Sequence, residues 1–206
     1  MREEIGSLVQ PIFEYGLKLR ERLMHGQHPD FEEEQANLKT LLLTEIESKQ
    51  LIDYGGESET GDEADLGQGS RQPGERFLGV RYALVCWLDE FFILSSPWET
   101  KWNERKLEVE LYGTNDRAWK FWQQADLCLT RPTSDALEVF FLCVALGFRG
   151  ERRDDLDELH EWMSSTKSRI AKIAGEDWPF PLEYEPPTYV PPHFGREPLQ
   201  TMIFTG

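Results

Sequence analysis

Apolar residues recur at helical spacing along most of the chain, so the pattern predicts helices nearly everywhere. Over about 4–24 the apolar positions are Ile5, Leu8, Ile12, Phe13, Leu17 and Leu19. "HGQHPD" breaks that helix, and Asp30 is placed to cap a second one carrying Leu38, Leu41, Leu42, Ile46 and Leu51. The two should form an antiparallel hairpin. A third, apolar helix, from about Phe77 to Leu94, holds the stretch 85–94, which only the adjacent acids Asp89 and Glu90 interrupt. "SSPWE" then offers Ser96 as N-cap, Pro97 at the first helical position and Glu99 to complete a capping box. The helix it opens should end near Gly113 and bury Trp98, Trp102, Val109 and Leu111 on one face. A fifth helix, starting at Thr114 or Asn115, aligns Trp119, Trp122, Ala125 and Leu129, a stripe that core packing explains. After the break "TRPTSD", residues 136–146 are apolar on almost every side and predict a central helix, with Gly147 suited to a left-handed C-cap. Asp155 and Glu158 repeat the capping logic before a seventh helix with Leu156, Leu159, Met163, Ile170 and Ile173.

Two stretches stand outside this periodicity. Residues 53–75 hold six glycines, seven acids and one base, the composition of a flexible acidic loop. From Trp178 onward lie seven of the chain's twelve prolines, so residues 176–206 should form an extended, polyproline-like tail. Its last residues, "LQTMIFTG", turn apolar again, which reads as a cut just before something hydrophobic. The expected organisation is a helical domain over 1–175 followed by that tail.

Charge narrows the partners. Thirty-eight acids against 22 bases give a net charge of −16 over 206 residues, which repels nucleic acid and anionic lipid headgroups and favours a basic partner. Cys86, Cys128 and Cys143 sit in apolar surroundings without metal-ligand spacing, as small core residues of a reducing compartment do. The charged start "MREEIGSLVQ" lacks the apolar stretch of a signal peptide, and no apolar run is long enough to span a bilayer.

Asp89 and Glu90 are the chemical question. Neighbours on a helix point about 100° apart, a poor geometry for two carboxylates converging on one substrate atom. A soluble helical hydrolase using them remains an alternative, as does an unrelated helical adaptor. Three roles are open for the acids: bonding the N–H groups at the start of a neighbouring helix, lining a cleft that meets a basic partner, or carrying a raised pKa. No phosphate loop, nucleophile elbow or Ser/His/Asp set is present. His25 and His28 straddle a turn and read as solvent-facing, and "DDLDE" at 154–158 lacks the Gly and the downstream Glu of a calcium loop.

Together "RYALVCWLDEFF" at 81–92, "PW" at 97–98 and "LCVALGFRG" at 142–150 give a resemblance. Through Tyr82, Leu88, Asp89, Glu90, Pro97, Trp98, Gly147, Phe148 and Gly150, in this order and separation, the chain resembles the DotU/TssL (IcmH-like) family of type VI and type IVB secretion systems. The resemblance covers about residues 8–173. It implies an all-α cytoplasmic domain of about seven helices in two small packed bundles with a hook-like outline, and neither catalysis nor a cofactor. It also implies an inner-membrane subunit with its domain facing the cytoplasm, anchored by a C-terminal transmembrane helix that this chain lacks. The implied partners are an IcmF/TssM-type membrane protein and a TssK-type baseplate adaptor, with a homodimer among the assemblies it allows. The family's Leu-Asp-Glu acids, which line a partner-facing cleft, carry over onto Asp89 and Glu90. The chain departs from the pattern in its long acidic loop, and in having "YGTNDRAWKFW" where many relatives have a Gly-Gly-Glu stretch.

Overall fold

The helix that carries the two adjacent acids becomes the hub of the structure. In a computed structural model, which describes residues 1, 3–47, 77–131 and 133–174 and only the backbone of 3, 4, 44–47 and 174, the described residues are helical with no strand. The acidic stretch 53–75, the Pro-rich tail 176–206, Leu51 and the side chain of Ile46 lie outside the described residues. The helices are α1 (Glu3–Met24), α2 (Phe31–Glu47), α3 (Gly79–Ser95), α4 (Glu99–Glu104), α5 (Leu107–Tyr112), α6 (Arg117–Cys128), α7 (Asp135–Ala145) and α8 (Leu156–Ala174), with a 3₁₀ turn at Gly150–Asp154. From Tyr82 to Glu90 every side chain of α3 is buried. α3 packs against α1, α2, α4, α5, α6 and α7, whereas α8 rests on α7 and the 3₁₀ turn. The helices thus sort into two groups, α1 with α2 and α6 with α7 and α8, both meeting α3. α7, expected at the centre, is buried along most of its length, but α3 makes the connections.

The N-terminal hairpin forms as its pattern predicts. Asp30 Oδ1 accepts the Glu33 N–H at 2.9 Å and caps α2. Buried Glu34 of α2 ties the pair together, accepting from Tyr15 Oη at 2.5 Å and from Arg22 Nη1 at 2.9 Å. α1 comes close to α3 at Gly16, where a Cβ would stand 3.1 Å from Leu88 Cδ2 and from the Trp87 ring. One turn earlier, Phe13 meets Trp87 edge to face at 4.9 Å between centroids.

Several expectations about the middle of the chain need correction. The single helix expected up to Gly113 is two short ones, α4 and α5, broken at Arg105–Lys106. Its proposed buried face fails with it: Trp98 and Trp102 are buried, but the restart turns Leu107 and Glu108 inward and leaves Val109 47% exposed. α4 starts at Glu99 and not at Pro97, because Ser96 closes α3 in an extended conformation. Its Oγ donates to Phe92 O at 2.7 Å and accepts the Trp98 N–H at 3.1 Å, with Pro97 in the exposed turn. α6 begins at Arg117, later than Thr114 or Asn115. Its buried stripe is Phe121, Trp122, Gln124, Ala125 and Cys128, so Trp119 is left outside at 46% exposure and Leu129 is half-buried. Leu17, Leu156 and Ile173 are likewise exposed.

The three cysteines are free and buried. Burial raises every thiol, Cys128 to about 12 and Cys86 and Cys143 well above the ordinary value, so none is a nucleophile at neutral pH.

Candidate functional site

Helix geometry sends the two adjacent acids of α3 in different directions, and both find backbone. Asp89 is fully buried and faces the start of α5. Its Oδ1 accepts the Leu107 N–H and the Trp102 Nε1–H, each at 2.8 Å, while Oδ2 accepts the Glu108 N–H at 2.9 Å. A carboxylate from another helix therefore takes the place of a local cap and satisfies the first N–H groups of α5. That cap is also the reason for the break between α4 and α5.

Glu90, 3% exposed, reaches the segment after α7 instead. Its Oε1 accepts the Arg149 N–H at 2.8 Å, and the Gly150 N–H is shared between Oε1 and Oε2 at 3.2 and 3.1 Å. Half-exposed Arg153 adds an ion pair at 3.8 Å. The backbone arrives there through two glycines with left-handed φ, Gly147 at +113° and Gly150 at +56°. Between them Phe148 is buried against Phe121, with centroids 3.9 Å apart.

A third carboxylate completes the arrangement. Glu108, fully buried, is itself held by Asp89 through its backbone N–H, and its side chain caps α6. Oε1 accepts the Asp116 N–H at 2.8 Å, Thr114 Oγ1 at 3.0 Å and Tyr82 Oη at 2.8 Å, while Oε2 accepts the Arg117 N–H at 3.1 Å. Tyr82 is raised far above its ordinary value, by burial first and then by Cys86 and Glu108, so its hydroxyl stays protonated and donates. α3 thus organises α5, and α5 organises α6.

Sequence reasoning missed Glu108, and no signal would have found it. Thr114, Asn115 and Asp116 already supply residue types that cap a helix locally, so nothing called for a donor acceptor match from elsewhere. Leu88 and Tyr82 are fully buried on α3 and Trp98 is nearly so; Leu88 and Trp98 serve packing, while Tyr82 also donates its hydroxyl to Glu108.

The chemistry open to this network is limited. Asp89 has both oxygens engaged by three donors, and Glu90 faces away from it. Burial lifts the Asp89 carboxyl from 3.8 to about 6, against the opposing pull of the Glu108 amide, the Trp102 indole, the Leu107 amide and Arg117. Because the folded value exceeds the unfolded one, folding takes up a proton in this range. The stability this confers is complete below about pH 4 and is lost as the pH rises through about 6. Relative to Asp89→Asn, which does not titrate, the wild-type protein should lose about 2 kcal/mol between pH 4 and pH 7. Urea denaturation of both proteins across that range checks it, and a constant difference would contradict it.

Among the described residues, no group of three His, Cys, Asp or Glu is placed to hold a metal ion, and no helix is long and apolar enough to cross a membrane. No curated protein and no solved structure matches the chain. The family described as "Type VI secretion system protein DotU" does match, over residues 63–203, more than half of the chain. That span contains the whole carboxylate network, and by it the chain belongs to the DotU family of type VI secretion system proteins.

Proposed function

We propose that the chain is a non-catalytic scaffold that links the inner-membrane complex of a type VI secretion system to the cytoplasmic baseplate. The family match over residues 63–203 carries this reading, since it makes the chain a subunit of the secretion membrane complex. The bonding of Asp89 and Glu90 supports the absence of catalysis, because their oxygens are occupied by backbone N–H groups and not open to a substrate. The partners in this reading are an IcmF/TssM-type membrane protein and a TssK-type adaptor, met by a domain facing the cytoplasm at the inner membrane. The Pro-rich residues from 176 onward act as a spacer towards the membrane.

Asp89 and Glu90 serve partner binding as positioning residues. Each is buried, so a partner meets the elements they hold, the start of α5 and the Arg149–Gly150 segment. The decisive test is co-elution of the purified chain with the TssK-type adaptor and with the cytoplasmic part of the TssM-type protein of the same secretion gene cluster. A complex with at least one of them is expected, and Glu90→Gln, which puts an amide donor against the Arg149–Gly150 donors, should weaken it about tenfold or more. Absence of any complex, together with unchanged secretion from a strain lacking the gene, overturns the reading.

A further inference from the structure

Three bases of α3 and α6 gather around one pair of tyrosines without an acid to pair with. Elsewhere Lys18, Arg22, Lys39, Arg105, Arg152 and Arg153 each stand within ion-pair distance of a glutamate. With 38 acids to 22 bases, that is the expected state of a base in this chain. Arg81, Arg117 and Lys120 have no such partner among the described residues, and printed contacts tie them to one place. Arg81, in the first turn of α3, donates from Nε to Tyr112 Oη at 3.1 Å, with its Cζ 5.8 Å from the centroid of that ring. Tyr112 meets Tyr82 edge to face at 5.0 Å, and Lys120 Nζ lies 6.0 Å from the Tyr82 centroid. Arg117 precedes Lys120 by three positions and so shares its side of α6, and its Nε is buried without an acceptor.

The interior behind these cations has nothing left to offer them. Glu108 takes the Tyr82 hydroxyl, the Thr114 hydroxyl and the Asp116 and Arg117 N–H groups, so both of its oxygens are filled. The backbone beneath is fixed as well: Glu108 starts α6, and Gln124 of α6 accepts the Leu78 N–H at 2.6 Å where α3 starts. Arg81, Arg117 and Lys120 are half-buried, so part of their freedom is already lost before anything binds. We infer that Arg81, Arg117 and Lys120 form a docking surface for an acidic segment of a partner protein, whose Asp or Glu carboxylates meet the Arg81 guanidinium and the Lys120 ammonium. The Nη groups of Arg81 suit a carboxylate in fork geometry. The net charge of −16 repels such a segment from afar, but salt screens charges beyond about 8–10 Å, and at contact the local cations decide. This rests on the reading of the chain as a scaffold that works through protein contacts, and it adds the surface and the character of what binds there.

The test uses the full chain at about 0.15 M salt and a fluorescent peptide of Glu alternating with Ser, beside a counterpart with Gln in place of Glu. Wild-type protein should bind the Glu peptide, more weakly as salt rises, and should not bind the Gln peptide. Arg81→Gln and Lys120→Gln should each weaken binding about tenfold or more, and Lys120→Arg should keep it. Lys120→Gln removes no hydrogen bond and carries the test if Arg81→Gln disturbs the start of α3. Lys101→Gln, at an exposed base of α4, changes the net charge equally and should leave binding unchanged. No binding of the Glu peptide, equal binding of both peptides, affinities within about twofold of wild type for Lys120→Gln, or an equal loss in Lys101→Gln would overturn the proposal. So would a gain of about tenfold or more on replacing residues 53–75 by Gly and Ser that vanishes in Arg81→Gln, because the chain's own acidic stretch would then be the occupant. A wild-type dimer in sedimentation that Lys120→Gln dissociates would overturn it too, in favour of a second copy of the chain. If the peptide results hold while no complex forms with the TssK-type or TssM-type protein, it is the secretion-scaffold reading that fails and not the surface.

Discussion

Asp89→Ala should destabilise the protein by about 3 kcal/mol at pH 7, a net of two opposed effects. Truncation leaves the Trp102 indole and the Leu107 and Glu108 amides without their acceptor in a site closed to water. At roughly 1–3 kcal/mol for each buried orphan, that loss is on the order of 6 kcal/mol. Against it, the variant no longer carries a buried charge whose cost, from a carboxyl raised to about 6, is about 3 kcal/mol. The lost bonds therefore win, and they win by more as the pH falls, because protonation removes the opposing cost in the wild type. Equilibrium unfolding in urea at pH 7 and at pH 4.5 measures both. A change below about 1 kcal/mol at pH 7 would mean that α5 finds another cap.

Gly150→Ala should cost about 4 kcal/mol, and here steric and electrostatic losses add. A left-handed φ of +56° strains any residue with a Cβ, by about 1 kcal/mol. The larger part comes from Ala118 O, which would lie 2.4 Å from the new methyl group and belongs to the backbone of α6. The segment must retreat, and retreat pulls the Gly150 N–H away from Glu90, a charge-assisted bond worth about 1.5–3 kcal/mol. Gly113→Ala is the control. It has a similar φ of +67° but open space where its Cβ would go, so strain alone, about 1 kcal/mol, is expected. Thermal or urea unfolding of the two variants side by side separates clash from strain; equal losses would remove Glu90 and Ala118 from the account.

Which parts of this fold the sequence discloses depends on how far each interaction reaches. α1, α2, α3, α7 and α8 follow from local periodicity, and Asp30 and Asp155 cap from within their own helices, Asp155 Oδ1 accepting the Glu158 N–H at 2.8 Å. The break at Arg105–Lys106 does not, because the acceptor that starts α5 lies on α3, eighteen positions before Leu107. The late start of α6 has the same origin in Glu108. Period alone puts Trp119 and Val109 in the core, but a helix begun by a remote cap begins on a different face. The acid pair shows both sides of this. Its presence within an apolar stretch marks it for attention, and the divergence of neighbours on a helix predicts that the two do not act together. That each would find two backbone N–H groups, one set eighteen and the other about sixty positions away, is settled only by tertiary structure.

The dependence of α5 on others has a consequence for motion. Six residues are too few for a helix to persist alone, since nucleation is unfavourable and few bonds follow it. α5 has an acceptor from α3 at its first turn and supplies the acceptor for α6 at the next. Fluctuations that loosen Leu107 from Asp89 therefore also release Asp116 and Arg117 from Glu108. The stretch from Leu107 to Arg117 should therefore exchange its amide hydrogens as one cooperative unit, with a protection that Asp89→Asn lowers throughout.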